Sequence, residues 1–502
     1  MTSRNISRTP VIIALLTMLT LVSGCAVGPN FRRPAAPAID GYTRSPLTTT
    51  TASPGVAGGE AQRFVAGQDI PDAWWTLFQS PALNTLIERA LAASPTLVAA
   101  QQTLRQGIEL IAAQRGSFFP TVQGNFSPSY QRVSRTLSPP LSNPDQFTYS
   151  LYTAQITVGF TPDVFGGTRR QVEALIGQAE AQRFQREAAY VTLTSNVVGA
   201  AIQEAALRAQ IAATQEIISI SSASLEIVRH QFRLGAVAGL ELAAQEAALA
   251  QVQQTLPGLR KQLEQNRNLL MVLTGRFPSD DSTEQFELTS LHLPTDLPVS
   301  VPSRLVQQRP DVRAAEAQMH AASAQIGVAV ASRLPQLTIT GAYGGMSTSF
   351  TQMFASGNPF WTVAANVAQS IFDGGTLFHR QRAAEAAFEL AAAQYRSTVL
   401  TGFQNVADAL YALQADGDSL NAAVAAERAS RRTLDITLKQ QELGAVSYLA
   451  LLSARQAYQQ ALITRVQVQA SRFADTAALF QALGGGWWNR SAAPPRGPRT
   501  DR

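Results

Sequence analysis

Two stretches of this chain, Thr168 to Leu234 and Thr376 to Leu443, contain no proline. Each is free to run as one helix of about 67 residues, on the order of 100 Å at about 1.5 Å per residue, where an average helix has about 11 residues. No compact domain houses rods of that length, so an elongated helical assembly is expected. Ile211, Thr214, Ile218, Ser221, Leu225, Val228 and Phe232 recur at three-four spacing along the first run. The pattern is fuller in Leu449, Leu452, Gln456, Gln459, Ile463, Val466, Ala470, Phe473, Ala477 and Phe480. Such stripes mark lateral coiled-coil packing. The alanine and glutamine around them suit close contact on more than one side of each helix, as a ring of helices needs.

The two runs belong to a tandem duplication. Phe118-Phe119-Pro120 returns as Arg333-Leu334-Pro335, Gly166-Gly167 as Gly374-Gly375, and Leu234-Gly235-Ala236-Val237 as Leu443-Gly444-Ala445-Val446, at offsets of 215, 208 and 209 residues. Three markers at nearly one spacing define a repeated unit. Each unit reads helix, strand, strand, long helix, turn, return helix. The strands, each about ten residues, alternate with period two. Phe118, Val122, Gly124 and Phe126 fall on one side, with Thr121, Gln123 and Asn125 on the other. Tyr152, Ala154, Ile156, Val158 and Phe160 alternate in the same way with Thr153, Gln155 and Thr157. The second unit repeats this with Leu337, Ile339, Gly341 and Tyr343, then Trp361, Val363, Ala365 and Val367.

Charged residues make up 15% of the chain, against about 25% in an average soluble domain, so weakly polar surface is left for something other than water to cover. The formal charge of +5 resides at the ends. Arg4 and Arg8 open the chain, Arg490, Arg496, Arg499 and Arg502 less Asp501 close it, and residues 25–489 sum to zero. A nucleic-acid binder carries its positive charge on a folded face, which argues against that class. The single cysteine, Cys25, excludes an intramolecular disulfide and a cysteine-rich zinc site. Arg4 and Arg8 precede the apolar run Val11 to Val22, which closes on Val22-Ser23-Gly24-Cys25. That run is shorter than the roughly 20 residues a spanning helix needs, and small residues before a cysteine match a bacterial lipoprotein cleavage box. The expected mature chain starts at a lipidated Cys25. Ala26, in place of the aspartate that retains lipoproteins in the inner membrane, favours outer-membrane delivery.

A sheet in lipid must close on itself, because each unpaired edge N–H or C=O costs several kcal/mol in hydrocarbon. Four strands are too few, since barrels use at least about eight. Copies of the chain must therefore complete the wall. The polar face would line a wet lumen, and the helices, leaving the same end of each strand pair, would continue the tube beyond the membrane.

Four segments in order carry a family resemblance: Trp74-Trp75 with Phe78, Pro81, Leu83 and Leu86; Arg309-Pro310-Asp311-Val312-Arg313 with Ala315-Glu316; Ile371-Phe372-Asp373-Gly374-Gly375; and Ala482-Leu483-Gly484-Gly485-Gly486-Trp487. Across about Asp72 to Trp487 the chain resembles the TolC-like outer-membrane factor lipoproteins of tripartite efflux pumps, of the NodT or OprM type. The resemblance implies a mainly α protein with a membrane β-barrel portion: a homotrimer forming a 12-stranded barrel in the outer membrane and a 12-helix tunnel through the periplasm. It further implies a periplasmic adaptor at the helical tips and an inner-membrane transporter, commonly of the proton-driven RND type. The expected organisation is a signal peptide over 1–24, a lipidated tether over 25–67, whose Pro, Ala, Thr and Gly cannot bury a core, repeats over 68–290 and 291–487, and a flexible basic tail over 488–502.

In this frame Leu234, Gly235, Ala236, Leu443, Gly444 and Ala445 form the adaptor-docking tips, where glycine tolerates positive φ after a helix. Tyr448 to Arg455 resembles the segment of the family's closed aperture, with Leu449 at the apolar constriction beside Leu452. Ser453 stands where many relatives carry aspartate, so an acidic ring is not expected there and cation selectivity should be weaker. Phe118, Phe119, Phe360 and Trp361 lie near strand ends, where aromatic side chains favour membrane interfaces. Trp74-Trp75 and Trp487-Trp488 read as packing anchors. Catalysis finds little support. His230, His292, His320 and His379 form no metal-binding spacing, and Asp373-Gly374-Gly375, without a following Gly-Lys-Ser/Thr, reads as a strand-to-helix turn rather than a phosphate loop. No cofactor is expected beyond covalent lipid. A passive export conduit is thus favoured over a cytoplasmic coiled-coil scaffold or a lipid-anchored envelope enzyme.

Overall fold

The computed structural model describes residues 26–134, 147–280 and 284–490. The first repeat runs β1 (Arg63–Ala66), α1 (Pro81–Ala93), α2 (Pro95–Arg115), β2 (Thr121–Arg132), β3 (Thr148–Phe160), α3 (Gly167–Arg233) and α4 (Gly239–Leu273). The second runs β4 (Asp296–Val299), α5 (Pro302–Gln308), α6 (Pro310–Ala331), β5 (Gln336–Ser347), β6 (Pro359–Ala368), α7 (Thr376–Glu442) and α8 (Tyr448–Ala482). Helices α3 and α7 each span 67 residues without a break, as the proline-free runs predict. The chain divides into two compact units.

The first unit holds the described part of Met1–Arg33 together with Leu104–Ala181 and Ala315–Tyr395. Its sheet is antiparallel in the order β2-β3-β5-β6. Residues paired across strands share a face. Val122, Val158, Gly341 and Val363 therefore form one row, and Gly124, Ile156, Tyr343 and Trp361 the next. Gln123, Thr157, Ala342 and Thr362 lie in a row on the opposite face. The period-two reading of each strand thus adds up to one apolar and one polar face across the whole sheet. In the same unit α3 and α6 approach closely, because a Cβ on Gly177 would stand 3.0 Å from that of Ala321.

The second unit holds Pro34–Thr103, Gln182–Ala314 and Arg396–Arg502. Its core gathers Ile70, Trp74, Phe78, Leu83, Ile87, Phe473 and Phe480, with Trp74 stacked on Phe480 at 5.2 Å. The tryptophans therefore pack as anchors. Two of the four family segments clasp each other here. Arg309, held by Asp311 at 2.6 and 3.0 Å, donates from Nη1 to the Ala482 carbonyl at 2.8 Å, and Trp487 Nε1 donates to the Gln308 carbonyl at 2.6 Å. The carbonyls at a helix C-terminus lack intrahelical partners, and Arg309 supplies one.

Two expectations fail in this unit. Within the expected tether over 25–67, residues 34–67 are folded: β1 pairs in parallel with β4, and Thr50, Ser53 and Gln62 are buried. Arg472, fully buried, donates to the Thr50 hydroxyl at 3.0 Å, the Glu60 carbonyl at 2.5 Å and the Gln62 amide oxygen at 3.3 Å. A composition argument counts apolar side chains, whereas this segment is held by hydroxyl, amide and carbonyl oxygens around one cation. Residues 488–490, expected in a flexible tail, are also held in place. Trp488 Nε1 donates to Asp69 at 3.0 Å, Asn489 Nδ2 to the Ile70 carbonyl at 2.7 Å, and Arg490 pairs with Glu187. Among the described residues no helix is long and apolar enough to cross a membrane.

Candidate functional site

The sheet is the first part of the site. Its apolar residues are turned outward: Val122, Ile156, Tyr343, Trp361 and Val363 are 53% to 73% exposed. On the other face Asn125 Nδ2 donates to the Thr157 hydroxyl at 3.1 Å. Phe119 is exposed ahead of β2, and Phe118 is half-buried in the short turn before it. Trp361 pairs with Tyr343 on the apolar face. Phe360 corrects the expectation made for it. It pairs with Gly344, and Gly344 with Gln155, so it sits on the polar face, because neighbouring residues of a strand point to opposite sides. Treating Phe360 and Trp361 as a pair ignored that parity. The sequence reading also left out Phe350, whose ring meets Phe126 at 5.9 Å and Tyr152 at 6.0 Å.

Cys25 lies outside the described residues, but the chain directly after it is held in place within the first unit. Val27 donates to the Phe165 carbonyl at 3.1 Å. Arg170, buried, donates to the Val27 carbonyl at 3.0 Å and to Asn30 at 2.8 Å while pairing with Glu173 at 2.7 Å. His320 stacks on Phe31 and contacts Glu173 at 3.0 Å, and Arg33 pairs with Glu316 at 2.8 Å. The helix that follows each strand pair starts on an aspartate. Asp163 accepts from the Thr168 and Arg169 backbone, both at 2.9 Å, and Asp373 from Gly375 at 2.8 Å and Leu377 at 2.9 Å. Asp373-Gly374-Gly375 is therefore the capping turn read from the sequence.

The tips belong to the second unit and repeat one hydrogen-bond pattern. Gly235 donates to the Phe232 carbonyl at 3.0 Å and Ala236 to Gln231 at 2.9 Å; Gly444 donates to Gln441 at 3.0 Å and Ala445 to Gln440 at 2.8 Å. Both glycines have positive φ, +73° and +70°, which closes a helix while satisfying its last carbonyls. Leu234 and Leu443 are 70% and 84% exposed. Beneath them Val228, Tyr448 and Leu451 form a small core with Leu242, Leu434 and Leu438. The turns differ in one respect: Ser447 caps α8, its hydroxyl accepting from Ala450, while Ala238 caps nothing on α4.

The expected aperture residues separate. Leu449 and Ser453, one turn apart, are both exposed. Leu452 turns inward and lines a cleft of about 370 Å³ with Ile217, Val252, Arg455 and Ile463. Among the described residues no group of three or more His, Cys, Asp or Glu side chains is placed to hold a metal ion.

Sequence and structure comparisons agree with this geometry. The profile of the family described as "Outer membrane efflux protein" matches residues 86–276 and 301–485. The chain is 30% identical over 448 residues to the pyoverdine export outer membrane protein OpmQ of Pseudomonas putida, covering 89% of this chain and 94% of that one. It is 26% identical to the toluene efflux pump outer membrane protein TtgC of Pseudomonas putida, covering 96% of each. Among solved structures, the outer-membrane channel OprN superposes with a TM-score of 0.81 at 25% identity, covering 92% of this chain and all of that one. The open state of the Neisseria gonorrhoeae MtrE outer membrane channel superposes with a TM-score of 0.78 at 25% identity, covering 92% and 99%. With its duplicated helices, its two-faced sheet and these relatives, the chain belongs to the outer membrane efflux protein family and serves as the outer-membrane component of an efflux pump, a channel and not an enzyme.

Proposed function

We propose that three copies of this chain close their sheets into one 12-stranded barrel and their long helices into one 12-helix tunnel, forming a passive export duct anchored by lipid on Cys25. The observation that carries this reading is the sheet itself. Its apolar face is exposed and continuous over four strands, while β2 and β6 each leave one edge unpaired. In hydrocarbon those edges must meet other strands, and identical chains supply them. The lipid reading has support in the position of Ala26, which lies 2.5 Å from where a Cβ on Gly166 would stand. Ala26 is thus at the junction of β3 and α3, and lipid carried by the residue before it would enter the leaflet beside the barrel.

The tips at Leu234 to Ala236 and Leu443 to Ala445 offer paired exposed leucines to a periplasmic adaptor, beneath which an inner-membrane transporter, of the RND type in this reading, would load the duct. Leu449 narrows the entrance, and Ser453 leaves it without an acidic ring. The named cargoes of the relatives, pyoverdine and toluene, differ so widely that cargo choice falls to the transporter rather than the duct. The test is the mass of the full-length protein extracted in detergent, together with its conductance in planar bilayers. A particle of three mature, lipidated chains with stable single-channel currents is expected. A monomer without conductance would refute the duct.

A further inference from the structure

Arg455 is half-buried, and among the described residues no carboxylate pairs with it. Its Nε and Nη1 are shut off from solvent and have no hydrogen-bond partner among the described residues. It lines the cleft of about 370 Å³ formed between α3, α4 and α8, together with Ser221, Gln251, Thr255, Gln456 and Gln459. No carboxylate lines that cleft. Burial pulls the guanidinium below its ordinary range, opposed by Tyr448. The Tyr448 hydroxyl is already engaged with Gln245, whose Nε2 in turn donates to the Ser221 carbonyl at 2.9 Å. The wall is therefore made of neutral amides and hydroxyls around one unneutralised cation, with apolar Ile217, Val252, Leu452 and Ile463 completing it.

The duplication makes the arrangement stand out. At the offset of 209 residues, Arg455 corresponds to Glu246, which pairs with Arg229 at 3.0 Å near the surface. The position matching Arg229 is Leu438. The second repeat has thus reversed the charge, lost the partner and moved the group inward. Unpaired guanidinium N–H groups shut off from water are costly, and a guanidinium donates its strongest hydrogen bonds to a carboxylate.

We infer that this cleft is a binding site for a small organic carboxylate, its anionic head on Arg455 and its body against the apolar wall. One such site stands in each copy, close to the periplasmic tip. The inference deepens the duct reading by naming an anionic class of solute at the entrance. The site itself, however, is built within a single chain.

The test is calorimetric titration of the full-length protein in detergent with benzoate, and with benzamide as the uncharged shape control. One benzoate per chain is expected, with benzamide at least about tenfold weaker. Arg455→Gln should abolish the preference and Arg455→Lys keep part of it, both variants eluting at the wild-type mass. Equal binding of benzoate and benzamide, or benzoate binding unchanged in Arg455→Gln, would overturn the site. So would an absence of benzoate binding in the wild type; with loss of the oligomer in Arg455→Gln as well, the guanidinium would be assigned to a carboxylate of a neighbouring copy. A monomeric protein that still binds benzoate through Arg455 would refute the trimer and leave the site standing.

Discussion

Gly28 and Gly327 meet backbone to backbone: a Cβ on Gly28 would stand 2.4 Å from the Cα of Gly327. Gly28 also has φ +94°, a conformation that side chains other than glycine's rarely adopt. From the other side, a Cβ on Gly327 would meet the Val27 carbonyl oxygen at 2.8 Å. The segment just after Cys25 is therefore seated on α6 by two residues without side chains. Gly28→Ala or Gly327→Ala should cost about 1–3 kcal/mol locally and release residues 26–33. Faster trypsin cleavage after Arg32 in folded protein is the expected readout. Gly116→Ala, where a Cβ meets nothing within 4 Å, should cleave at the wild-type rate.

The two faces of the sheet predict opposite tolerances at adjacent positions. Val363→Arg places a charge on the apolar face and should cost about 2–4 kcal/mol near the bilayer midplane. Thr362→Arg points to the polar face and should fold. The amount of assembled protein in outer-membrane fractions, read on semi-native gels, separates them. Equal loss in both variants would mean that the face assignment is wrong.

Asp416 on α7 is buried beside Asp475 on α8, and burial followed by the neighbouring carboxyl pushes Asp416 from 3.8 up to about 7. The folded state therefore holds a proton that the unfolded chain releases, and stability falls as pH rises between these values. Thermal unfolding in detergent should show Tm declining from pH 5 to pH 8. Asp416→Asn, which keeps a hydrogen-bond donor and cannot ionise, should flatten that slope and match or exceed the wild type at pH 8. A wild-type Tm that rises across the same interval would contradict the pair.

Leu234→Asp and Leu443→Asp alter exposed tip residues and should change stability by less than about 0.5 kcal/mol. Under the proposed docking role, the double variant should assemble normally but lose cross-linking to the adaptor and export in cells. Export at the wild-type level would place docking elsewhere.

Much of the architecture is legible because it is periodic. The proline-free runs become helices α3 and α7, and the Leu-Gly-Ala-Val markers close both with one turn geometry, since each depends only on residues a few positions apart. Strand parity holds over four strands, and it places Phe360 opposite Trp361 even though both are aromatic and adjacent. Leu452 was less readable. It belongs to the same three-four stripe as Leu449, yet only the packing of α3 and α4 against α8 turns it inward.

Local periodicity in the sequence thus determined the rods, the duplication and the two-faced strands, because helix and strand geometry repeats over a few residues whatever surrounds them. Tertiary structure alone decided that Arg472 would gather oxygens from residues about 410 positions away, that residues 34–67 would pack rather than hang free, and that two nitrogens of Arg455 would be shut off from solvent without a partner among the described residues. A buried polar group can be satisfied by any donor or acceptor that the fold brings near. That choice depends on the three-dimensional approach of distant segments and leaves no period in the chain.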